Sequence, residues 1–285
     1  MIALPQLPKS VRRFLTVFFL ASLCAYFSYI AYVTPYATRG LTLAEIESLE
    51  ESMRRLPREK LTEMRRAGLE AKSWLSSCEL SGRTILSELT KTTEPIPRRI
   101  HAPKEDVFDE KTSSQYYFHK HRGSEIGHFH LFLWTDHIPG LEKPLQVSPS
   151  GGFVHLIAIT TDERGYPIRL FTTNQWVTGE DWRPAGEVGR LVQNFEISHG
   201  DPSWPANRSL TAFVRLFAPQ IRQLIELRDE RIAKECESRS LKEVLNDRSI
   251  NVLSEMPVDI DAQLLSIEAA LARQSLPITA SVPTN

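Results

Sequence analysis

Apolar positions along the chain fall into four successive patterns. The first is continuous. Phe14 to Val33 holds no charged residue and follows Lys9, Arg12 and Arg13, so a run of about twenty residues predicts an N-terminal transmembrane helix with its basic flank on the cytoplasmic side. Tyr26, Tyr29, Tyr32 and Tyr36 gather toward one end of it, where interfacial aromatics sit. On this reading the membrane is the first partner, through Phe14–Val33, and the rest of the chain is non-cytoplasmic. A cleaved signal peptide competes with it, although no small-x-small site follows the run and Leu23 before Cys24 does not suit a lipoprotein signal. A translation start further downstream is the other alternative, and would leave a cytoplasmic protein.

The second pattern has helical spacing. Thr42-Leu43-Ala44-Glu45 reads as a capping box, followed by Ile46, Leu49, Met53 and Leu56 and stopped by Pro57. A second helix is predicted over 58–76, carrying Leu61, Met64, Trp74 and Leu75, and a short third one after Gly82. Residues 92–112 hold Pro95, Pro97 and Pro103, too many for a helix, and too few apolar alternations for a central strand. They predict a loop crossing toward a sheet.

Alternation and β-branched or aromatic runs make the third pattern. Strands are predicted at 115–121, 127–134, 153–161 and 166–173, with turns over Arg122 to Gly127 and over Asp162-Glu163-Arg164-Gly165. They form a four-stranded, mainly antiparallel sheet. Both faces of the second hairpin are apolar, which predicts helices over part of each side. After a loop over 174–184 comes a short helix over 185–195 and a second loop over 198–207. The fourth pattern is helical again: Leu210, Phe213, Val214, Phe217, Ile221, Leu224, Ile225 and Ile232 make one stripe that Pro219 should kink. A last helix starts near Asp259 or Asp261 with Leu264, Leu265, Ile267 and Leu271. The expected fold class is α+β, a central four-stranded sheet flanked by helices, with residues 1–40 as basic flank and anchor, 41–274 as one domain and 275–285 as a tail.

Composition changes this picture little. The 34 basic and 35 acidic residues give a net charge of -1, so no basic field marks a nucleic-acid partner. Cys24, Cys78 and Cys236 are too few and too scattered for a disulfide framework or a cysteine-rich zinc site, while a single Cys78–Cys236 bridge stays open in an oxidising compartment.

Candidate chemistry concentrates in the first hairpin, where four of the eight histidines form two His-x-His pairs, His119/His121 and His128/His130. Alternate strand residues share a face, so each pair presents two imidazoles together. With His121 opposite His128 and His119 opposite His130, all four share one face, and the other pairs Tyr116 with Leu133, Phe118 with Leu131 and Lys120 with Phe129. A slip of one residue would separate the pairs. Converging neutral imidazoles suit a divalent transition metal such as zinc, copper, iron or nickel, with Glu125 in the turn and His155 on the next strand as further donors. The alternative is a polar sheet face whose histidines bond water or one another. Glu125 and Glu180 are the candidate catalytic acids or bases. His199, Asp201 and Ser203 read as turn formers, since no Gly-x-Ser-x-Gly elbow accompanies them. Trp176, Trp182 and Trp204 read as sealing a core edge, and Arg98, Arg99 and His101 as a solvated loop.

Three resemblances bear on these residues. His119-x-His121-x-x-x-Glu125 is similar to the first metal motif of the cupins, but it lacks that motif's flanking glycines, and the strands are too few for a jelly roll. His128-Phe129-His130 resembles the His-hydrophobic-His core of single-strand nucleases that cleave with a tyrosine, yet no tyrosine follows Tyr166. The block 127–132, the strand 155–159 and Pro167-Ile168-Arg169-Leu170-Phe171-Thr172-Thr173-Asn174-Gln175-Trp176-Val177-Thr178-Gly179-Glu180 together resemble an uncharacterised bacterial domain family of unknown function. That resemblance runs from Leu43 to Leu271 and implies a bacterial α+β domain, with no activity and without the membrane segment. The chain thus reads as a ligand-binding or interaction module acting through a histidine-rich sheet face; the alternative is a metal-dependent hydrolase or oxygenase.

Overall fold

The computed structural model describes residues 40–91, 101–120 and 127–275. The chain divides into two compact units, Met1–Gly40 and Leu41–Asn285, and the elements below belong to the second. Helix α1 (Leu43–Arg54) begins as its sequence requires: Thr42 Oγ1 accepts from the Glu45 N–H at 3.3 Å, and Glu45 Oε2 accepts from the Thr42 N–H at 2.7 Å. This reciprocal bonding satisfies two donors that a helix start otherwise leaves open. Helix α2 (Arg58–Leu80) buries Leu61, Met64, Ala67, Gly68, Ala71, Leu75 and Cys78, the three-and-four spacing of one helical face. Helix α3 (Ile85–Thr90) follows.

The sheet has six strands, β1 (Ala102–Asp109), β2 (Ser114–Lys120), β3 (Gly127–Trp134), β4 (Phe153–Thr161), β5 (Pro167–Thr173) and β6 (Val252–Pro257). They lie in sequence order, and every neighbouring pair is antiparallel. Between β5 and β6 the chain makes α4 (Gln175–Thr178), α5 (Ala185–Leu191), α6 (Trp204–Leu216), α7 (Ala218–Glu235) and α8 (Leu241–Leu245), and α9 (Ile260–Gln274) follows β6. Asp259 caps α9 by accepting from the Ala262 N–H at 2.8 Å.

Pleating gives the sheet two chemically distinct faces. Tyr116, Phe118, Phe129, Leu131, Leu133, Ile157, Ile159 and Leu170 belong to the main core, together with Leu210, Phe213, Phe217 and Ile221 of the α6–α7 segment. Tyr116, the one polar group among these strand residues, donates its hydroxyl to Asn207 Oδ1 at 2.6 Å, which makes its burial affordable. A smaller cluster of Trp182, Ile232, Val244, Leu245 and Leu253 seals the β6 edge.

Three expectations need correction. The sheet has six strands, not four, because both edges were missed. β1 runs through the stretch expected as a loop: at an edge, with its pairing to β2 shifted between Ala102 and Val107, a strand tolerates Pro103 and the charges of Lys104, Glu105 and Asp106. β6 is six residues long and ends on Pro257, too short to show alternation. Second, no helix among the described residues is long and apolar enough to cross a membrane. The expected transmembrane helix at Phe14–Val33 lies outside the described residues, so a single-pass membrane localisation has no support here. Third, Pro219 does not kink one helix but stands in the first turn of a second, α7, after a break at Phe217; a residue without an N–H loses no bond there. The Cys78–Cys236 bridge that the sequence left open is not formed: both cysteines are free.

Candidate metal centre

Strands β2 and β3 pair with His119 opposite His128 and Tyr117 opposite His130. The expected register, His121 opposite His128, is therefore displaced by two residues. Core packing accounts for the choice. In the observed register Phe118 faces Phe129, ring centres 4.9 Å apart, and Lys120 pairs with Gly127 at the hairpin end, whereas the expected one set Lys120 against Phe129. Gly127 is needed for this: a Cβ there would lie 2.2 Å from Phe118 Cζ and 2.8 Å from the His119 carbonyl oxygen. Because the displacement is even, the faces are unchanged. His119, His128 and His130 stay together, on the face turned away from the helical core.

The three rings converge. His119 Nε2 and His128 Nε2 are 2.8 Å apart, so one imidazole donates and the other accepts. Ring centres are separated by 4.6 Å for His119 and His128, 5.2 Å for His119 and His130, and 4.8 Å for His128 and His130. One ligating nitrogen from each lies within 4.8 Å of the other two. His130 is 1% and His128 7% exposed, while His119 is half-buried. Two imidazoles on one tetrahedral zinc-like ion have nitrogens about 3.4 Å and ring centres about 5.2 Å apart, given metal–nitrogen bonds of about 2.1 Å. The ring centres, 4.6 to 5.2 Å apart, are near that spacing, and an ion would replace the 2.8 Å contact between His119 and His128 by spreading their nitrogens to it.

Aromatic rings wall the site. Tyr117 stands 5.4 Å from His119 and 5.2 Å from His130, Phe171 stands 5.1 Å from His128, and Phe132 stacks at 6.1 Å on His130. The Arg169 guanidinium lies over the Phe171 ring at 4.6 Å. Behind the cluster, His130 Nδ1 meets His155 Nε2 at 3.1 Å, and His155 Nδ1 meets Thr173 Oγ1 at 3.4 Å. Burial, helped by the nearby Arg228 charge, pushes His155 down to about 3, so it is a neutral partner to His130 rather than a member of the compact set of three. Its main-chain N–H donates to Glu180 Oε2 at 2.7 Å, and Thr178 Oγ1 donates to Glu180 Oε1 at 3.3 Å. Burial pushes the Glu180 carboxyl up to about 7, against the pull of Arg228 and of those two hydrogen bonds.

The remaining candidates separate. His121 and Glu125, with Arg98 and Arg99, lie outside the described residues. His199 and Asp201 hold a turn: His199 Nε2 meets the Phe108 carbonyl at 3.2 Å, and Asn207 Nδ2 donates to the carbonyls of both residues at 2.9 Å. Ser203 caps α6 through the Ala206 N–H. Trp176 donates to the Ile250 carbonyl, Trp182 is buried beneath the Arg228 guanidinium, and Trp204 is exposed. Two residues that the sequence did not single out for this site stand beside it. His101 is stacked on Tyr117 with ring centres 3.9 Å apart, and Asp106 Oδ1 is 2.8 Å from His101 Nδ1. Their only sequence signal, a histidine five residues before an aspartate, is hidden by the proline-rich context.

The chain belongs to the family described as domain of unknown function DUF6969, whose sequence profile matches residues 65–258. That span contains all six strands and the histidine cluster. Comparison with curated proteins and with solved structures gave no match.

Proposed function

We propose that this member of the family is a binding module whose histidine-rich sheet face holds a transition-metal ion through His119, His128 and His130. The observation that carries the reading is the convergence of one nitrogen from each ring within 4.8 Å. Imidazole ligands supply lone pairs without bringing negative charge among the aromatic rings, and their borderline softness suits zinc, copper, iron or nickel. The contact from His155 to His130 supports it further, because a ligating imidazole is ordinarily oriented by a partner on its second nitrogen. Binding is favoured over turnover, since catalysis also needs an acid or base beside the metal, and Glu180 spends its two oxygens on the His155 N–H and the Thr178 hydroxyl.

Metal analysis of the purified protein tests this, repeated with His119→Ala, His128→Ala and His130→Ala. The expected result is about one ion per chain, lost or sharply reduced in each variant, as removal of one of three ligands requires. A metal-free wild type that takes up no zinc or copper, with folded variants that behave identically, would sink the proposal.

A further inference from the structure

Resting on that metal site, we infer that its fourth donor is His101, held ready by Asp106. Three imidazoles leave a tetrahedral ion one ligand short. His101 precedes β1, the strand beside β2, and its ring lies flat on Tyr117 at an interplanar angle of 7°. Its centre is 5.8 Å from that of His119, edge to face. That is about half an ångström beyond the spacing of about 5.2 Å expected for two imidazoles on one tetrahedral ion; His119 is the member of the set that His101 adjoins, and His101 completes the shell by moving in beside it.

A hydrogen-bond chain settles which nitrogen His101 offers. The Trp134 indole can only donate, and it donates to Gln115 Oε1 at 2.6 Å. Gln115 must then present its amide NH2 to Asp106, and Nε2 donates to Asp106 Oδ2 at 2.8 Å. The other carboxylate oxygen, Oδ1, accepts from His101 Nδ1. His101 therefore carries a proton on Nδ1, and Nε2 is the nitrogen that a metal would take. Carboxylate, imidazole and metal in that order is the arrangement by which outer groups fix a ligating histidine.

His101 stands at the rim, outside the compact set of three, where the β1–β2 pairing is irregular between Ala102 and Val107. Three donors thus come from the paired strands β2 and β3, and the fourth from the residue that leads into the edge strand β1. Closure by His101 gives an ion with four nitrogen ligands and no position for substrate, which is the signature of a structural or storage site rather than a catalytic one.

The test uses the full chain loaded with zinc, with histidine count from zinc-edge X-ray absorption and affinity from chelator competition. Four imidazoles are expected in the wild type. His101→Ala should show three imidazoles plus an oxygen ligand and bind zinc at least roughly tenfold more weakly; Asp106→Asn should keep four but lose roughly 10- to 100-fold in affinity. Circular dichroism confirms that both variants are folded. Zinc held by three imidazoles in the wild type, or a His101→Ala protein with unchanged count and affinity, would overturn the assignment. If zinc binding is lost in His119→Ala but untouched in His101→Ala, only the fourth ligand is refuted; a wild type that binds no zinc removes the site and this inference together.

Discussion

Replacing Glu180 with glutamine isolates one proton and gives the buried shell behind the histidines a measurable signature. The carboxyl is 1% exposed and is pushed from 4.5 up to about 7, first by burial and against the attraction of Arg228. A folded-state pKa above the unfolded one means that the folded protein holds the proton more tightly. Stability is then fully present below about pH 4.5 and declines as pH rises through about 7. At about 1.4 kcal/mol for each tenfold change in proton affinity, the decline is about 3 kcal/mol. Glutamine keeps an acceptor for the His155 N–H and has no proton to lose. Urea unfolding of wild type and Glu180→Gln, in chelator to hold metal linkage constant, gives the difference in stability as a function of pH. The two proteins should be nearly equal at about pH 4.5, and the variant more stable by up to about 3 kcal/mol at about pH 8. His155, neutral throughout because burial holds it at about 3, adds no titration in this window. A flat difference, or a variant that is less stable at the high-pH end, would show that Arg228 wins over burial and that Glu180 is an ordinary ionised carboxylate.

Other perturbations follow from the same packing. Asp109 is buried, which alone would raise its pKa, but it accepts from the Ser198 N–H and hydroxyl and from the Thr112 and Lys111 N–H groups, and these hold it below the usual range. Asp109→Asn should therefore cost about 1–3 kcal/mol at neutral pH, with the deficit shrinking in acid as the wild-type carboxylate is protonated; unfolding at several pH values checks this. Tyr116→Phe should lower stability by about 1–3 kcal/mol, because Asn207 Oδ1 loses its buried donor. Gly127→Ala should cost about 1–3 kcal/mol and weaken zinc uptake as Phe118 and the paired strands are forced apart. Gly186→Ala, where an added Cβ meets nothing within 4 Å, should instead be neutral or stabilising by up to about 1 kcal/mol in the same melt.

The central strands were legible in the sequence because each is a run of β-branched and aromatic residues: the span expected at 127–134 is β3 itself, and that expected at 153–161 is β4. The edges were not. In β1 the sequence Pro103-Lys104-Glu105-Asp106 carries no alternation, since an edge strand has one flank in solvent and buries only Ala102, Val107 and Asp109. In β6, Ser254 fills a buried position by bonding Thr172 Oγ1 and the Leu224 carbonyl, both at 2.7 Å; a polar residue satisfied by distant partners cannot be recognised as a core position from its neighbours in sequence. Capping signals were easier to read, because Thr42 with Glu45 and Asp259 with Ala262 act within three residues.

The histidine face was legible for a different reason, which also explains what was hidden. Side-chain direction along a strand has period two, so a register error of two residues changes every opposing pair while leaving each residue on its own face. His119, His128 and His130 therefore share a surface in both the expected and the observed register, although the partner of His128 changes from His121 to His119. Parity carries no information about the next strand. His101 and Asp106 reach the site only because β1 adds to β2 with its own shifted register, and the bond chain from Trp134 through Gln115 to Asp106 crosses three strands. A group contributed from within one hairpin can be anticipated by counting residues; a group contributed across an irregular edge pairing, as His101 is, depends on how the two strands meet in space.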